Sequence, residues 1–144
     1  ISHSIEAAKS GFDEVLWLGP DGEFTEAAFA NIFFMSREGD LVEIATPPLA
    51  AGILPGVTRR RIMELLTLAK IPVTERTITM EELPRFDEAF VCSSIRRLRP
   101  VGTIDRHRLY TTRKNAVFWH IQRLYESWVL SELGRKGNQG QLEH

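Results

Sequence analysis

Short apolar runs separated by turn residues dominate the first third of the chain. Residues 15–18, 30–35 and 41–45 each form such a run, which is the pattern of a buried strand. The sequence Gly19-Pro20-Asp21-Gly22 indicates a turn, because proline fixes one backbone dihedral and glycine permits positive ones. The pattern therefore predicts a meander of antiparallel strands.

Apolar residues recur at helical spacing in later segments. Residues 57–69 predict an amphipathic helix, and a long final helix is expected from a cap at Thr112 to about Leu133. The first ten residues also predict a helix, which would end at Gly11.

Strands and helices alternate through the rest of the chain. Strands are expected over residues 71–78, 88–92 and 99–104, and Thr79 with Glu82 has the spacing of a capping box that opens a short helix. This order of elements indicates a mixed α/β (α+β) domain.

The polar, glycine-rich end of the chain differs from the rest. We expect a domain of residues 1–133 followed by a flexible tail of residues 134–144, whose last three residues resemble the start of a purification tag.

Composition narrows the class of protein. A hydrophobic fraction of 43% and a charged fraction of 26% are typical of a globular chain, and 144 residues suit one domain. The net charge of -1 gives no general attraction to nucleic acid or to a membrane, so neither is expected as a partner. The single Cys92 cannot form an internal disulfide, which favours a cytoplasmic location, and no Cys/His spacing indicates a metal site.

Three segments contain residue types that are suited to chemistry. In the first, Glu26 lies beside small residues ahead of a strand, where it would accept a proton-bearing partner in a dry site. A surface glutamate at the end of a strand is the commoner explanation of such a residue.

In the second segment, Pro55-Gly56 leads into the helix predicted from Val57. A helix N-terminus has unpaired N–H groups and the positive end of the helix dipole, so it suits an anion. Residues 59–61 are all arginine and oppose that dipole, which is explained if a phosphate lies nearby. A capped helix with a solvated basic first turn explains the pattern equally well.

The third segment is a strand that ends in Cys92-Ser93-Ser94 and is followed by arginines. Serine hydroxyls at such a position act either as turn formers or as phosphate donors. Cys92 is interpreted as a small core residue rather than a nucleophile, because no histidine lies near it in sequence.

Taken in order, these segments resemble the class IV aminotransferases, the fold-type IV enzymes that use pyridoxal 5'-phosphate (PLP). The resemblance runs from residue 11 to about residue 105. It rests on Thr-Glu-x-x-x-x-Asn-Ile-Phe at 25–33, Leu-Pro-Gly-Val-Thr-Arg at 54–59 and Asp-Glu-x-Phe at 87–90. It implies the C-terminal, cofactor-holding domain of such an enzyme, with a mixed sheet or pseudo-barrel and flanking helices.

The resemblance implies cofactor contacts for five residues. Glu26 would hydrogen-bond the pyridine nitrogen of PLP and keep it protonated, and Leu54 would lie against the face of the ring. Val57 and Thr58 would bind the phosphate through their backbone amides and the threonine hydroxyl, and Ser94 would donate another hydroxyl.

Substrate contacts are implied for three more residues. Phe29 stands where relatives usually have a small residue, so it would narrow the pocket or shift its specificity. Ile95 and Arg96 replace a pair of small residues, which indicates a negatively charged substrate or a different packing. The choice among branched-chain amino acids, D-amino acids and aminodeoxychorismate stays open, as does the choice between a transaminase and a lyase.

No catalytic residue is expected in this chain, because the Schiff-base lysine of the family would lie upstream of Ile1, about two helical turns before it. Lys9 does not align with that lysine. The N-terminal domain of the family is also missing, so the chain is interpreted as a fragment, inactive alone, of a homodimeric enzyme that acts on a small-molecule amino donor and acceptor. The alternative is a non-catalytic relative that binds an anionic ligand or partner through its arginines.

Overall fold

The computed structural model describes the backbone of residues 3–6, 15–18, 24–27, 31–48, 57–92 and 98–142, and the side chains of residues 31–48, 57–92 and 98–135. Within this part of the chain, no helix is both long enough and apolar enough to span a membrane.

The first strands form a three-stranded antiparallel sheet. Its strands are β1 (His3–Glu6), β2 (Val15–Leu18) and β3 (Phe24–Ala27), in the order β1-β2-β3. Strand β2 confirms the first apolar run. The helix predicted over the first ten residues is wrong at His3–Glu6, which pairs along its whole length with β2. A four-residue segment has a weak helical period, and pairing with an apolar strand overrides it. The placement of the lysine by helical turns therefore loses its basis.

A five-stranded mixed sheet forms the centre of the described structure. Its strands are β4 (Asn31–Glu38), β5 (Leu41–Thr46), β6 (Val73–Glu75), β7 (Glu88–Cys92) and β8 (Arg99–Pro100), in the order β6-β5-β4-β7-β8. Neighbouring strands are antiparallel, except that β5 and β6 are parallel. The antiparallel pair of β4 with β5 and the strand over residues 88–92 are confirmed. The single meander predicted from residues 15–18, 30–35 and 41–45 is wrong, because β2 pairs with β1 and β3 in the other sheet.

Two predicted strands are shorter than the sequence indicated. The strand expected over residues 71–78 is reduced to β6, and the one expected over 99–104 is interrupted after β8. Its second part, β9 (Thr103–Ile104), pairs with β10 (His107–Arg108) in a separate hairpin. The Val101 N–H still donates to the carbonyl of Ala89 on β7, and the chain leaves the sheet after it.

In the part of the chain that the structure describes, three helices accompany the sheets: α1 (Val57–Leu68), a 3-10 helix (Met80–Arg85) and α2 (Val117–Leu142). Helix α1 is confirmed to within a residue. The capping box is also confirmed, since the Thr79 N–H donates to the Glu82 carboxylate at 2.9 Å.

Helix α2 differs from its prediction at both ends. It begins five residues after Thr112, so the prediction of a Thr112 cap is wrong; a carboxylate from the sheet, described below, binds its first amides instead. It continues past Leu133 to Leu142. The assignment of residues 134–144 to a tail stays a prediction.

The core lies on both faces of the five-stranded sheet, because successive side chains of a strand point to opposite sides. Ile32 and Phe34 pack on one face with the 3-10 helix and the β9–β10 hairpin. Phe33 packs on the other face with α1 and α2, stacked on Phe90 at a ring-centroid distance of 5.0 Å. A mixed sheet with flanking helices confirms the predicted fold class.

Candidate functional site

Buried polar residues gather at one end of the five-stranded sheet. Asn31 begins β4, and it lies opposite Cys92 at the end of β7. Thr46 ends β5 at the same edge, where its hydroxyl donates to the carbonyl of Ile32 at 2.7 Å. Asn31 and Thr46 are both buried. Polar side chains in such positions need partners, and their concentration at one edge indicates a site.

Helix α1 begins at this same edge. Thr58 and Arg59 are buried with exposed fractions of 6% and 4%, whereas the Val57 side chain is 64% exposed. The first turn of α1 contains no acidic residue, although acidic residues are favoured there by the helix dipole. The prediction that Val57 and Thr58 open a helix is confirmed, and the N-terminus is suited to an anion.

Arg59 is held by protein acceptors rather than left free for a ligand. Its Nη2 atom donates to the Pro47 carbonyl at 3.1 Å and to Glu75 Oε2 at 3.0 Å. Sequence reasoning grouped Arg59 with two other cations near a phosphate and missed this arrangement. No local sequence pattern indicates the pair of Arg59 and Glu75, because the two residues are sixteen positions apart and approach each other only in the folded chain.

Cys92 behaves as a core residue. It is 1% exposed, and burial raises the pKa of its thiol to about 12, an effect that the nearby Arg59 charge opposes without cancelling. A thiol with such a pKa is not a nucleophile near neutral pH. The interpretation of Cys92 as a structural residue is confirmed.

The structure gives positions for only some of the predicted site residues. Val57 and Thr58 lie together at the start of α1. The backbone of Glu26 lies within β3, opposite Trp17, and ahead of β4 as predicted. The remaining predicted residues lie outside the described part of the chain: Phe29, Leu54, Ser94, Ile95 and Arg96. Their roles, and a cleft shared by Thr58, Glu26 and Ser94, stay predictions.

The described residues contain no group of three or more His, Cys, Asp or Glu side chains placed to hold a metal ion. The arrangement around α1 instead suits a phosphate or a similar anion, since backbone N–H groups and a hydroxyl lie at a buried, basic helix start.

The fold and this helix start define an α/β domain that is suited to an anionic ligand, and comparison with known proteins gives its family. The family model described as Amino-transferase class IV matches residues 1–104. The chain therefore belongs to the class IV aminotransferase family, which confirms the resemblance found in the sequence.

Individual relatives agree with this family. The mitochondrial branched-chain-amino-acid aminotransferase of Rattus norvegicus is 47% identical over 83 residues, which cover 56% of this chain and 21% of that protein. The solved structure of a branched-chain aminotransferase from Thermoproteus uzoniensis with norvaline has a TM-score of 0.74 and 33% identity, covering 84% of this chain and 38% of that one.

A third relative has its cofactor named. The solved structure of a branched-chain amino acid aminotransferase from Thermobaculum terrenum in its PLP form has a TM-score of 0.73 and 29% identity, covering 83% of this chain and 38% of that chain. This chain thus spans about a fifth of the rat protein and less than two fifths of the two solved structures.

Proposed function

We propose that this chain forms the part of a PLP-dependent class IV aminotransferase that holds the phosphate and the pyridine ring of the cofactor. The observation that carries this proposal is the start of α1, where Thr58 is buried at a sheet edge and the first turn has arginines but no acid. The positive end of the helix dipole at such a terminus favours a bound anion. Family membership and a relative in its PLP form support PLP as that anion.

The phosphate would be bound by α1 and by the segment after β7. The backbone N–H groups of Val57 and Thr58 lie in the first turn of α1, where a helix directs its amides towards an anion. The Thr58 hydroxyl and the Ser94 hydroxyl would add two further donors. Hydrogen bonds to a charged acceptor are stronger than those between neutral groups, which favours a phosphate dianion over water.

The ring would be held by residues before and after β4–β5. Glu26 would accept a hydrogen bond from the pyridine nitrogen and hold the proton on it, while Leu54 would cover one face of the ring. When bound, PLP supplies an electron sink for the carbon next to the substrate amino group. The contribution of Glu26 is to keep the proton on that nitrogen throughout.

We infer that the reaction is transamination of an amino acid with an aliphatic side chain, because the relatives reported above are named as branched-chain enzymes. Phe29 would form an apolar wall of the substrate pocket, and Ile95 and Arg96 would lie beside the substrate carboxylate. A lyase acting on aminodeoxychorismate is the alternative. It predicts that a purified parent enzyme converts aminodeoxychorismate but does not transfer an amino group from leucine.

The active parent would be a homodimer with an N-terminal domain that provides another phosphate-binding arginine and one pocket wall, while the Schiff-base lysine would lie on a segment between that domain and this chain. This proposal accords with the share of the relatives that the chain spans. A reducing, cytoplasmic compartment is proposed from the single buried thiol of Cys92.

Binding of an aldehyde-free cofactor analogue tests the proposed cradle. Pyridoxine 5'-phosphate keeps the ring and the phosphate but cannot react with Lys9, Lys70, Lys114 or Lys136, so its binding reports the cradle alone. We expect reversible binding with shifts of the Val57 and Thr58 amide resonances, and no effect of pyridoxine without phosphate at the same concentration. Absence of these shifts would contradict the proposal.

PLP itself gives the complementary measurement. After borohydride reduction and mass measurement, we expect no stable adduct at a single lysine of this chain, because none of its lysines lies in the cofactor-contacting segments. A specific adduct together with turnover of an amino acid would show that the chain is active by itself. Binding of many unrelated anions with equal strength would favour the non-catalytic relative.

A further inference from the structure

We propose that Arg59 is a positioning residue for the anion cradle: its guanidinium fixes the first turn of α1 to the sheet, so that the Val57 and Thr58 amides stay in place. This inference rests on the proposed function. Arg59 itself would not contact the anion, because its Nη2 atom is engaged by Pro47 and Glu75.

One acceptor of Arg59 lies in the sheet and the other directly follows it. Pro47 directly follows Thr46, which is bound to β4 through the Ile32 carbonyl at 2.7 Å. Glu75 lies beside Thr46 in the parallel pairing of β6 with β5, and the next residue, Arg76, donates its N–H to the Thr46 carbonyl at 3.0 Å. The guanidinium therefore joins the start of α1 to the ends of two hydrogen-bonded strands, β5 and β6.

Burial explains why this link needs an arginine. The Arg59 side chain is 4% exposed and its Glu75 partner is 44% exposed, so the cation gives up its water while the carboxylate keeps part of its own. A buried cation requires hydrogen bonds that replace hydration, and the Nη2 atom of Arg59 donates to both a carbonyl and a carboxylate. Breaking such a pair leaves a buried charge without its counter-charge, which favours movement of the whole first turn.

The neighbouring arginines do not share this role. Arg60 is exposed, and Arg61 pairs with Glu64 at 2.7 Å on the same helix and lies 4.5 Å from the centre of the Trp128 ring on α2. All three cations act on an anion through their charge, but of these three only Arg59 bonds to β6 and to the residue after β5. Substitutions can therefore distinguish the effect of an arginine's charge on the anion from the effect of the bonds that position α1.

The decisive variant is Glu75→Gln. If the site depends only on charge, phosphate should bind more tightly to this variant, whereas if Arg59 positions the start of α1, phosphate should bind more weakly. Removing a negative charge near the cradle strengthens the binding of inorganic phosphate if charge alone matters. If Arg59 positions the helix start, loss of its counter-charge weakens phosphate binding, and we expect a dissociation constant raised about threefold or more. Glu64→Gln removes the same charge from α1 itself and serves as the matched control.

A second pair of variants changes the arginines directly. We expect Arg59→Met to weaken phosphate binding about tenfold or more, and Arg60→Met, with the same loss of charge, only about twofold. Arg59→Lys should recover part of the loss, since the charge remains but the forked geometry does not. Should Arg59→Met fail to fold, Glu75→Gln still decides, because its partly exposed site tolerates the change.

The readout is the titration of the Val57 and Thr58 amide resonances with inorganic phosphate in the full chain, with thermal unfolding followed in parallel. Tighter binding in Glu75→Gln, or equal weakening in Arg59→Met and Arg60→Met, would overturn the role of Arg59 while leaving the cradle intact. No phosphate-dependent shift in the unaltered chain would overturn the cradle itself.

Discussion

Glu88 on strand β7 accepts a hydrogen bond from the backbone N–H of Phe118, thirty positions further along the chain, at 2.8 Å. The other oxygen of the same carboxylate accepts from the Val117 N–H at 2.9 Å. Glu88 is 2% exposed, so a strand of the central sheet supplies the cap of the longest helix from within the core. The cap is tertiary rather than local, and it fixes α2 against β7.

Truncation of Glu88 should loosen this connection. We expect Glu88→Ala to lower the free energy of unfolding by about 2–4 kcal/mol, because two amides of a helix start lose their acceptor in a buried place. Urea denaturation measures the change. Glu126→Ala, at an exposed position of the same helix, should stay within about 0.5 kcal/mol of the unaltered chain. Equal effects of the two substitutions would contradict the capping role.

The charge of Glu88 should also give stability a definite pH dependence. Burial raises the pKa of Glu88 above its ordinary value of 4.5, and the amides of Val117 and Phe118, with Arg37 and Arg113, oppose this only in part. The folded chain then holds a proton that the unfolded chain releases. The stabilisation that this bound proton gives to the folded chain is therefore full below pH 4.5, and it is lost as the pH rises through the pKa of Glu88 in the folded chain.

Comparison with Glu88→Gln isolates this contribution, since glutamine does not titrate. We expect the free energy of unfolding of the unaltered chain, relative to Glu88→Gln, to fall as the pH is raised from about 4 to about 8. Urea denaturation at several pH values in this range gives the slope. If the free energy of unfolding of the unaltered chain, relative to Glu88→Gln, instead rises with pH, the hydrogen bonds from the helix amides affect the pKa of Glu88 more than burial does.

These connections show where the sequence was informative and where it was not. Strands β4, β5 and β7 and helix α1 were predictable because each has an apolar period or run of its own. The cap on α2 was not, since Glu88 is an acid inside an apolar strand and its partners arrive from residue 117 onwards. A local rule assigned the cap to Thr112, whose neighbour Thr111 instead bonds the sheet through its hydroxyl.

Some features of the candidate site were predictable from the sequence and others were not. The start of α1 was predictable because Pro-Gly before a helical period is a local signal. The link from Arg59 to Glu75 depends on β6 lying parallel to β5, which no local pattern indicates. Strand β3, which contains Glu26, was not predicted, because its four residues are too few to have a period that distinguishes it from a loop.

Backbone conformation offers a matched pair of tests. Lys70, just after α1, and Gly39, in the two-residue turn between β4 and β5, both have a φ of 61°. This region is costly for residues with a Cβ and easy for glycine. We expect Lys70→Gly to stabilise the chain by about 0.5 kcal/mol and Gly39→Ala to destabilise it by about 1 kcal/mol.

The second substitution meets no crowding, since a Cβ at Gly39 would have nothing within 4 Å, so its effect would come from the backbone alone. Thermal and urea unfolding of the two variants show whether each substitution raises or lowers the free energy of unfolding. A destabilising Lys70→Gly would mean that its charge at the helix C-terminus matters more than its dihedral angle.

The reactivity of Cys92 should report unfolding of the core. With a thiol pKa of about 12, the thiolate fraction at pH 8 is about one in ten thousand, against roughly one in ten at the ordinary value of 9.0. We expect iodoacetamide to modify the folded chain at least about 100-fold more slowly than the chain in urea. Mass measurement follows a single site, because the chain has one cysteine. Rapid, complete modification in native buffer would contradict the burial of β7.

Two substitutions should separate the phosphate end of the proposed cofactor site from its ring end. Thr58→Val removes a hydroxyl proposed to donate to the phosphate, and we expect it to weaken inorganic phosphate and pyridoxine 5'-phosphate alike, by about tenfold, since hydrogen bonds to charged groups are worth about 1.5–3 kcal/mol. Glu26→Gln should weaken only the binding of pyridoxine 5'-phosphate, because inorganic phosphate has no ring nitrogen.

Thr67→Val is the control, as the Thr67 hydroxyl is exposed and donates to the Met63 carbonyl of its own helix at 2.9 Å. Isothermal titration of both ligands against the three variants gives a pattern rather than a single loss. If Thr58→Val behaves like Thr67→Val, the phosphate is not at α1. If Glu26→Gln weakens both ligands equally, Glu26 acts on the fold and not on the ring.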